Sequence, residues 1–198
     1  MFENTQIAFA SKSENDLRKS KNLFKLLRNP TLVKIGKVCL QIAIFLRIPI
    51  NSIIKKLFFK QFCGGESIDD CQNLINELSQ FNVYSTLDYC VEGRKNTETK
   101  NKTFKSIYNT LEESTENPNI LFCVFKLSGV ITLISESYIT DFWCRKNTEK
   151  VKSLFKTAYE KNIPILIDAE ESWTQNGIDK ITELLMKEYN KEKVIVYN

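Results

Sequence analysis

The chain has 198 residues, of which 42% are hydrophobic and 26% charged, and this composition is that of an ordinary globular domain with a buried core. The net charge of +4 is too small to indicate a nucleic-acid-binding protein, and we expect no nucleic-acid partner. The absence of histidine excludes an imidazole base or metal ligand, and six scattered cysteines without a CxxC pair or a secretory signal predict reduced thiols in a cytoplasmic protein.

The N-terminal segment, residues 1–66, is predicted to be helical throughout, with breaks at Pro30 and Pro49. Residues 32–59 have the apolar spacing of one or two amphipathic helices that carry lysines on their polar faces. Their most apolar stretch, residues 38–46, is far shorter than the roughly 20 residues that a membrane-spanning helix needs. Covering the core is the favoured role for these helices, and lying on a membrane surface is the alternative.

Four short aliphatic segments follow, separated by helical patterns, and they predict repeated βα units around a parallel sheet. The predicted strands are residues 84–88, 120–126, 163–168 and 194–198. The first of the helices begins with Ser67 as its N-cap, and we interpret the apolar stripes of all four as packing against the sheet. The stripes include Leu74 and Ile75, Ile107 and Leu111, Leu154 and Phe155, and Ile178 and Ile181. The fold class is therefore α/β.

Charged residues stand where three of the predicted strands end. Asp88, Lys126 and Asp168 are the strand-end residues, and Glu92 follows the first of them after one short turn. Because the carboxyl ends of parallel strands meet at one rim of a barrel, these side chains are expected to converge on a common site. The acidic cluster that begins at Asp168 either forms part of that site or caps the following helix, and the pattern leaves both interpretations open.

Three further alternatives concern single residues of this rim. Lys126 ends a strongly apolar strand, so its ammonium either reaches water or meets an anion or an electron-rich ring. Asp88, Asp168 and Glu170 offer the oxygen ligands that Mg²⁺ prefers, although Lys126 on the same rim opposes such a site. Cys90 has no histidine to activate it, so an inert thiol is favoured over a nucleophile.

Four motifs resemble those of the proline dehydrogenase family and occur in the family's order. They are Lys-Gln-Phe-Cys-Gly-Gly-Glu at 60–66, Leu-Asp-Tyr-Cys-Val-Glu-Gly at 87–93, Val-Phe-Lys-Leu-Ser at 124–128, and Leu-Ile-Asp-Ala-Glu-Glu-Ser at 166–172. The resemblance implies a distorted (βα)8 barrel of the TIM type that holds FAD noncovalently. It also implies oxidation of L-proline to 1-pyrroline-5-carboxylate, with electrons passed to a membrane quinone.

The resemblance implies roles for the strand-end residues as well. Lys126 would lie against the flavin ring system, where its charge supports the reduced flavin. Asp168 and Glu92 would each brace an arginine that grips the substrate carboxylate, because a buried guanidinium needs an anionic partner. Asp88 would lie on the same rim, and the two glutamates after Asp168 would be structural.

The resemblance predicts a partial barrel of about four βα units at residues 67–198, preceded by the helical segment 1–66. The fourth predicted strand resembles one that continues into flavin contacts in the family, so we expect the rest of the barrel in further sequence or in a complementing polypeptide. That half would carry the paired substrate arginines, the pocket tyrosine and most of the groups that bind the FAD phosphates. The alternative function is a noncatalytic remnant that binds a partner or a membrane surface through its basic helices. The expected location is cytoplasmic and peripheral to the inner membrane.

The 198 residues alone are expected to bind FAD weakly, to leave proline unoxidised and to self-associate, because four strands leave two sheet edges and an apolar inner face uncovered. The measurement is the flavin absorbance of the purified chain together with proline-dependent dye reduction. Copurified flavin with proline turnover contradicts the prediction.

Overall fold

The computed structural model describes residues 3–89, 96–131 and 148–198, and these form two compact units, Met1–Asn82 and Val83–Asn198. The first unit is helical, and the second contains the sheet. The predicted boundary lies after residue 66, whereas the helix Ile68–Ser79 groups with the N-terminal helices in this division. The assignment of residues 67–198 to a partial barrel stays a prediction.

The helical unit contains six α-helices and one π-helical turn in its described part. They are α1 (Thr5–Ala8), α2 (Glu14–Leu27), α3 (Pro30–Phe45), α4 (Asn51–Ile54), the π-helical turn Lys55–Phe59, α5 (Lys60–Phe62) and α6 (Ile68–Ser79). Side chains cap the longer ones, because Ser13 and Asn29 accept hydrogen bonds from the first free N–H groups of α2 and α3. The predicted breaks at Pro30 and Pro49 are confirmed, since α3 starts at the first proline and ends before the second.

The start of α6 is fixed by a cap and by a close backbone approach. Ser67 Oγ accepts a hydrogen bond from the Asp70 N–H at 3.2 Å, which confirms the predicted N-cap. The Asp70 carboxylate accepts from the Glu66 N–H at 3.3 Å, one residue before the position used in a standard capping box. A Cβ at Gly65 would lie 2.9 Å from the Cys71 backbone nitrogen, so only glycine fits at this position.

The sheet unit has four parallel strands in the order β1-β2-β3-β4, with helices between them. The strands are β1 (Ser85–Asp88), β2 (Ile120–Lys126), β3 (Ile165–Asp168) and β4 (Val196–Tyr197). The described helices are α7 (Thr97–Glu116), α8 (Glu149–Lys161) and α9 (Ser172–Tyr189), and a 3₁₀ turn at Leu127–Gly129 follows β2. Sequential parallel order with intervening helices confirms the α/β class and is consistent with part of a (βα)8 barrel.

The strands β3 and β4 each begin two residues later than predicted because helix caps use the preceding residues, and β1 begins one residue later. Asn162 adopts a left-handed conformation with φ 58° and ends α8, so the Ile163 N–H bonds back to Ala158 instead of joining the sheet. Asn190 acts in the same way before β4: its Oδ1 accepts from the N–H groups of Ile195 and Val196, each at 2.9 Å. These bonds leave short strands of four and two residues.

The helices of the sheet unit pack on one face of the sheet, as their apolar spacing predicts. Buried residues of α7, α8 and α9 form one cluster with the β2 and β3 side chains that point to the same face. Members of this cluster are Ile107, Leu111, Cys123, Phe125, Leu154, Phe155, Ile165, Ile167, Ile178 and Ile181. The stripe of α6 differs, because only Ile75 of that helix is buried. We therefore limit the packing interpretation to the three later helices.

Replacing Gly65 with alanine is expected to destabilise the helical unit by about 1–3 kcal/mol, because the new methyl group meets the backbone of Cys71. Gly36→Ala is the matched control: this glycine lies inside α3 with no neighbour within 4 Å of the new Cβ, so alanine there should stabilise the helix by about 0.5–1 kcal/mol. The free energy of unfolding of both variants is measured by urea unfolding followed by circular dichroism, and the local stability of α6 is measured by hydrogen exchange. Equal stability of the two variants would refute this account.

Cys123 is expected to resist alkylation until the sheet unit opens. Burial, and secondarily the negative charge of Asp88, raise the pKa of its thiol from near 9 to about 12, so the folded protein keeps it protonated. Since the unfolded thiol ionises near pH 9, ionisation of this residue favours unfolding as the pH rises from about 9 to about 12. Mass spectrometry should find Cys39 and Cys63, which are exposed, modified roughly 10³-fold faster or more. Equal rates at mildly alkaline pH would contradict the prediction.

Candidate functional site

The strand register divides the sheet into a helix-packed face and an opposite, inner face. Successive residues of a strand point to opposite faces, and residues paired across parallel strands point to the same one. Ile165 and Ile167 are buried against the helices, so Leu166 and Asp168 belong to the inner face. Lys126 is paired in register with Asp168 and therefore lies on the inner face, at the carboxyl ends of the two central strands.

Lys126 is held at this rim by two contacts with the end of β3. Its Nζ lies 2.7 Å from Asp168 Oδ2, and it donates a hydrogen bond of 2.7 Å to the Ala169 carbonyl oxygen. The lysine side chain is 19% exposed and that of Asp168 is 42% exposed. The ammonium is thus fixed in position by an anion, while the carboxylate stays accessible to a second cation from solvent or from another part of a protein.

A second contact joins the segments that follow the two strands. Ser128 donates its backbone N–H to Glu170 Oε1 at 2.9 Å, and its hydroxyl hydrogen-bonds Glu170 Oε2. The backbone N–H of Glu170 in turn donates to Gln175 Oε1 at 2.9 Å. The acidic cluster therefore does not serve mainly as a helix cap: the N-cap residue of α9, Glu171, makes no capping bond with its side chain. Glu170 instead ties the loop after β3 to the loop after β2.

Asp88 lies on the inner face but not level with the lysine. It is paired in register with Val124, two residues before Lys126, so the end of β1 stands about 6–7 Å lower along the strand direction. Its side chain is exposed. The strand register thus brings Asp88, Lys126 and Asp168 to the same face of the sheet, with direct contact between the last two.

Two predicted residues lie outside the described residues. Glu92, expected to brace a substrate arginine, and Cys90, expected to be an inert thiol, both belong to residues 90–95. Their predicted roles stay predictions.

The inner face below the charged rim is largely apolar. Phe122 and Tyr197 meet across the intervening strand β3, with ring centroids 5.0 Å apart and planes at 84°. Val124 and Leu166 lie beside them on the same face. A flat aromatic ring system with polar edges fits this arrangement: apolar side chains offer a surface for the rings, and an oriented ammonium can interact with an electron-rich edge. These residues therefore fit the flavin that the resemblance implies.

The carboxylates of this rim are engaged in ways that do not fit the magnesium alternative. Asp168 pairs with Lys126, and Glu170 bonds Ser128. Among residues 3–89, 96–131 and 148–198, no group of three or more acidic or cysteine side chains is arranged to hold a metal ion.

Sequence patterns did not identify two residues of the site, Ser128 and Gln175. Ser128 follows the lysine by two positions and looks like an ordinary turn residue in the 3₁₀ segment, and Gln175 looks like an ordinary polar helix residue. The sequence contains one positional signal for Ser128. Ser128 and Glu170 each lie two residues past the end of their strand, and the parallel register places both at the same rim.

The family model described as proline dehydrogenase matches residues 71–198. Proline dehydrogenase 1, mitochondrial, of Dictyostelium discoideum is 27% identical over an alignment that covers 76% of this chain and 34% of that protein. The probable proline dehydrogenase, mitochondrial, of Schizosaccharomyces pombe is 24% identical, covering 96% and 52%. The carbapenem antibiotics biosynthesis protein CarD of Pectobacterium carotovorum subsp. carotovorum is 24% identical, covering 73% and 40%.

The chain spans between about a third and about half the length of these relatives. The match to the family model covers well over half of the 198 residues and includes all four strands and the Lys126–Asp168 pair. The chain belongs to the proline dehydrogenase family, a family of oxidoreductases.

Proposed function

We propose that this chain supplies the first four strands of a flavin-dependent barrel that oxidises L-proline to 1-pyrroline-5-carboxylate and passes the electrons to a quinone. The observation that carries the proposal is the ammonium of Lys126, held by Asp168 at the carboxyl-end rim next to an apolar inner face. Family membership supports the substrate class and the cofactor, since proline dehydrogenases generally use FAD.

The proposed role of Lys126 is to present a fixed positive charge to the isoalloxazine ring of FAD. FAD, when bound, supplies the two-electron acceptor for the hydride that leaves proline. A cation held by Asp168 and the Ala169 carbonyl needs no reorganisation when negative charge develops nearby. Phe122, Val124 and Leu166 would exclude water from the ring, because they line the same face.

The proposed role of the carboxylates is to hold cationic side chains that bind the substrate carboxylate. Asp168 keeps 42% of its side chain exposed although it pairs with Lys126, so it has room for a guanidinium. Glu92 is assigned the same role by its motif, and Asp88 contributes negative charge on the same face, lower along the sheet. Glu170 acts as a positioning residue: by holding Ser128 it keeps the loop after Lys126 in place.

The quinone acceptor and the cellular location rest on the family assignment alone. No helix in the described ranges is long and apolar enough to cross a bilayer. A peripheral position would let the barrel reach a quinone dissolved in the membrane. The names of the Dictyostelium and Schizosaccharomyces relatives include the word mitochondrial, whereas the cytoplasmic location expected from cysteine usage stays a prediction.

The alternative, a noncatalytic remnant that binds a partner or membrane surface, is favoured by one observation: α3 has no buried residue. Sequencing of the coding DNA beyond Asn198 separates the two functions. A continuation with further βα units and paired arginines supports the enzyme, whereas an established natural stop without a complementing gene supports the remnant.

Replacing Lys126 with methionine in the completed barrel is expected to lower the rate of proline-dependent dye reduction by about a hundredfold, because it removes the oriented charge and keeps the length of the side chain. The barrel is completed by the continuing reading frame or by a co-expressed second half. Visible absorbance of bound flavin and single-turnover flavin bleaching by proline are measured alongside turnover.

Lys102→Met is the matched control, since this lysine is 74% exposed on α7 and pairs with Glu98 one turn earlier in the same helix. It should retain normal turnover and flavin content. An unchanged rate for Lys126→Met overturns the role of the lysine, and a completed, folded barrel that binds no flavin and leaves proline unoxidised overturns the proposed function.

A further inference from the structure

The peptide unit between Ala169 and Glu170 is hydrogen-bonded on both of its edges. Its carbonyl oxygen accepts from Lys126 Nζ at 2.7 Å, and its N–H donates to Gln175 Oε1 at 2.9 Å. This peptide bond is trans, so its C=O and N–H lie in one plane and point in opposite directions. A rotation of that plane would weaken both hydrogen bonds together. The bond to Gln175 therefore also resists movement of the oxygen that holds the ammonium.

The side-chain amide of Gln175 is itself held in one orientation. Its Nε2 donates to Asp179 Oδ1 at 2.7 Å. The two residues are four positions apart on α9, where side chains are neighbours and a bond between glutamine and aspartate stabilises the helix. A carboxylate can only accept hydrogen bonds, so Asp179 fixes the NH₂ group of Gln175 on its own side. The amide oxygen is then left to face the Glu170 N–H.

These contacts form a continuous polar relay, defined here as Asp179, Gln175, the peptide unit between Ala169 and Glu170, and Lys126. Its three hydrogen bonds measure 2.7, 2.9 and 2.7 Å, counted from the carboxylate to the ammonium. Each of the two amide groups presents its donor toward the anion and its acceptor toward the cation. Dipoles aligned in this way between opposite charges polarise one another and strengthen each bond.

We propose that Gln175 and Asp179 are positioning residues for Lys126: through the peptide unit between Ala169 and Glu170 they fix the place of the ammonium on the inner face. Neither residue needs to touch a substrate or a cofactor for this role. The importance of that place rests on the proposed oxidation, because a charge that is already oriented needs no reorganisation when negative charge develops beside it. The relay itself is a property of the 198-residue chain.

The competing explanation for the Gln175 contact is local capping of α9. In a capping box the third helical residue accepts from the N-cap N–H. Here the fourth helical residue, Gln175, accepts from Glu170, which precedes the N-cap Glu171. Capping alone predicts that loss of the glutamine weakens the start of α9 and leaves Lys126 unchanged. The relay predicts that Lys126 becomes less restrained as well, so the lysine is the residue to measure.

The test compares Gln175→Leu with the original 198-residue chain in the absence of flavin. Leucine keeps the bulk and the helix propensity of the side chain but offers no acceptor. Amide hydrogen exchange of Glu170 should become about fivefold faster, because an intramolecular hydrogen bond is lost. Acylation of the Lys126 amine by acetic anhydride, measured by mass spectrometry relative to Lys102, should become about twofold faster or more.

Asn176→Leu is the matched control, since it removes an exposed side-chain amide at the next position of α9 and should leave both rates unchanged. Asp179→Ala at another exposed position frees the Gln175 amide to rotate, so both rates should rise by a smaller factor. Glu183→Ala, which removes an exposed acid one turn further along, controls for the change of charge. Circular dichroism measures the folding of every variant, and Asp179→Ala decides the matter if Gln175→Leu unfolds the sheet unit.

A second readout uses the completed barrel. Gln175→Leu should lower kcat for proline-dependent dye reduction about fivefold and leave KM for proline unchanged, because it acts through Lys126. Asn176→Leu should change neither constant. A completed barrel that leaves proline unoxidised would overturn the proposed function, whereas the relay would still be judged by the exchange and acylation rates.

Three results overturn the proposal. The first is an unchanged exchange rate of Glu170 or an unchanged acylation rate of Lys126 in folded Gln175→Leu, since the second of these leaves Gln175 as a helix cap only. The second is equal acceleration in Asn176→Leu, which would assign the effect to α9 as a whole. The third is an Asp179→Ala variant that matches Glu183→Ala in both rates, which would remove the carboxylate from the relay.

Discussion

The register between β2 and β3 is the constraint from which the rest of the site follows. It places Lys126 and Asp168 side by side at the ends of two buried strands, where the ammonium and the carboxylate meet at 2.7 Å. A shift of one residue in either strand would turn one of the pair toward the helices, where an unpaired charge is costly to bury. The buried isoleucines of β3 oppose such a shift, because they would leave the core at the same time.

The two faces of the sheet therefore have different functions within one short sequence. Alternation along β2 sends Cys123 and Phe125 into the helix-packed core, while Val124 and Lys126 face inward. The core side is closed, and burial there raises the pKa of the Cys123 thiol to about 12. The inner side combines aromatic and aliphatic side chains with charges at one rim, which is the combination that a flat, partly polar cofactor requires.

The helical unit differs from the sheet unit in how its apolar residues are used. The stripes of α7, α8 and α9 are buried in the core, whereas the stripe of α3 is exposed. From spacing alone these helices look alike, because a hydrophobic period of 3.6 reports that one face is apolar and not what covers it. The charge distribution differs as well, since α3 lies within residues 17–65, which contain no aspartate or glutamate.

Local chemistry accounts for most of what could be predicted. The strand ends at Asp88, Lys126 and Asp168 and the cap at Ser67 follow from short-range patterns, and the structure has them at the predicted positions. The late starts of β3 and β4 were not predicted. The left-handed turn at Asn162 and the side chain of Asn190 engage backbone N–H groups that a longer strand would have used in the sheet.

Residues that are far apart in the chain met only through folding. The bond from Ser128 to Glu170, 42 positions apart, depends on the parallel pairing of two strands, and so does the lower position of Asp88 on the inner face. A linear sequence specifies which residue ends each strand, since propensity and burial act locally. The level at which neighbouring strands end is set by side-chain packing across the whole sheet, and only the folded chain contains that information.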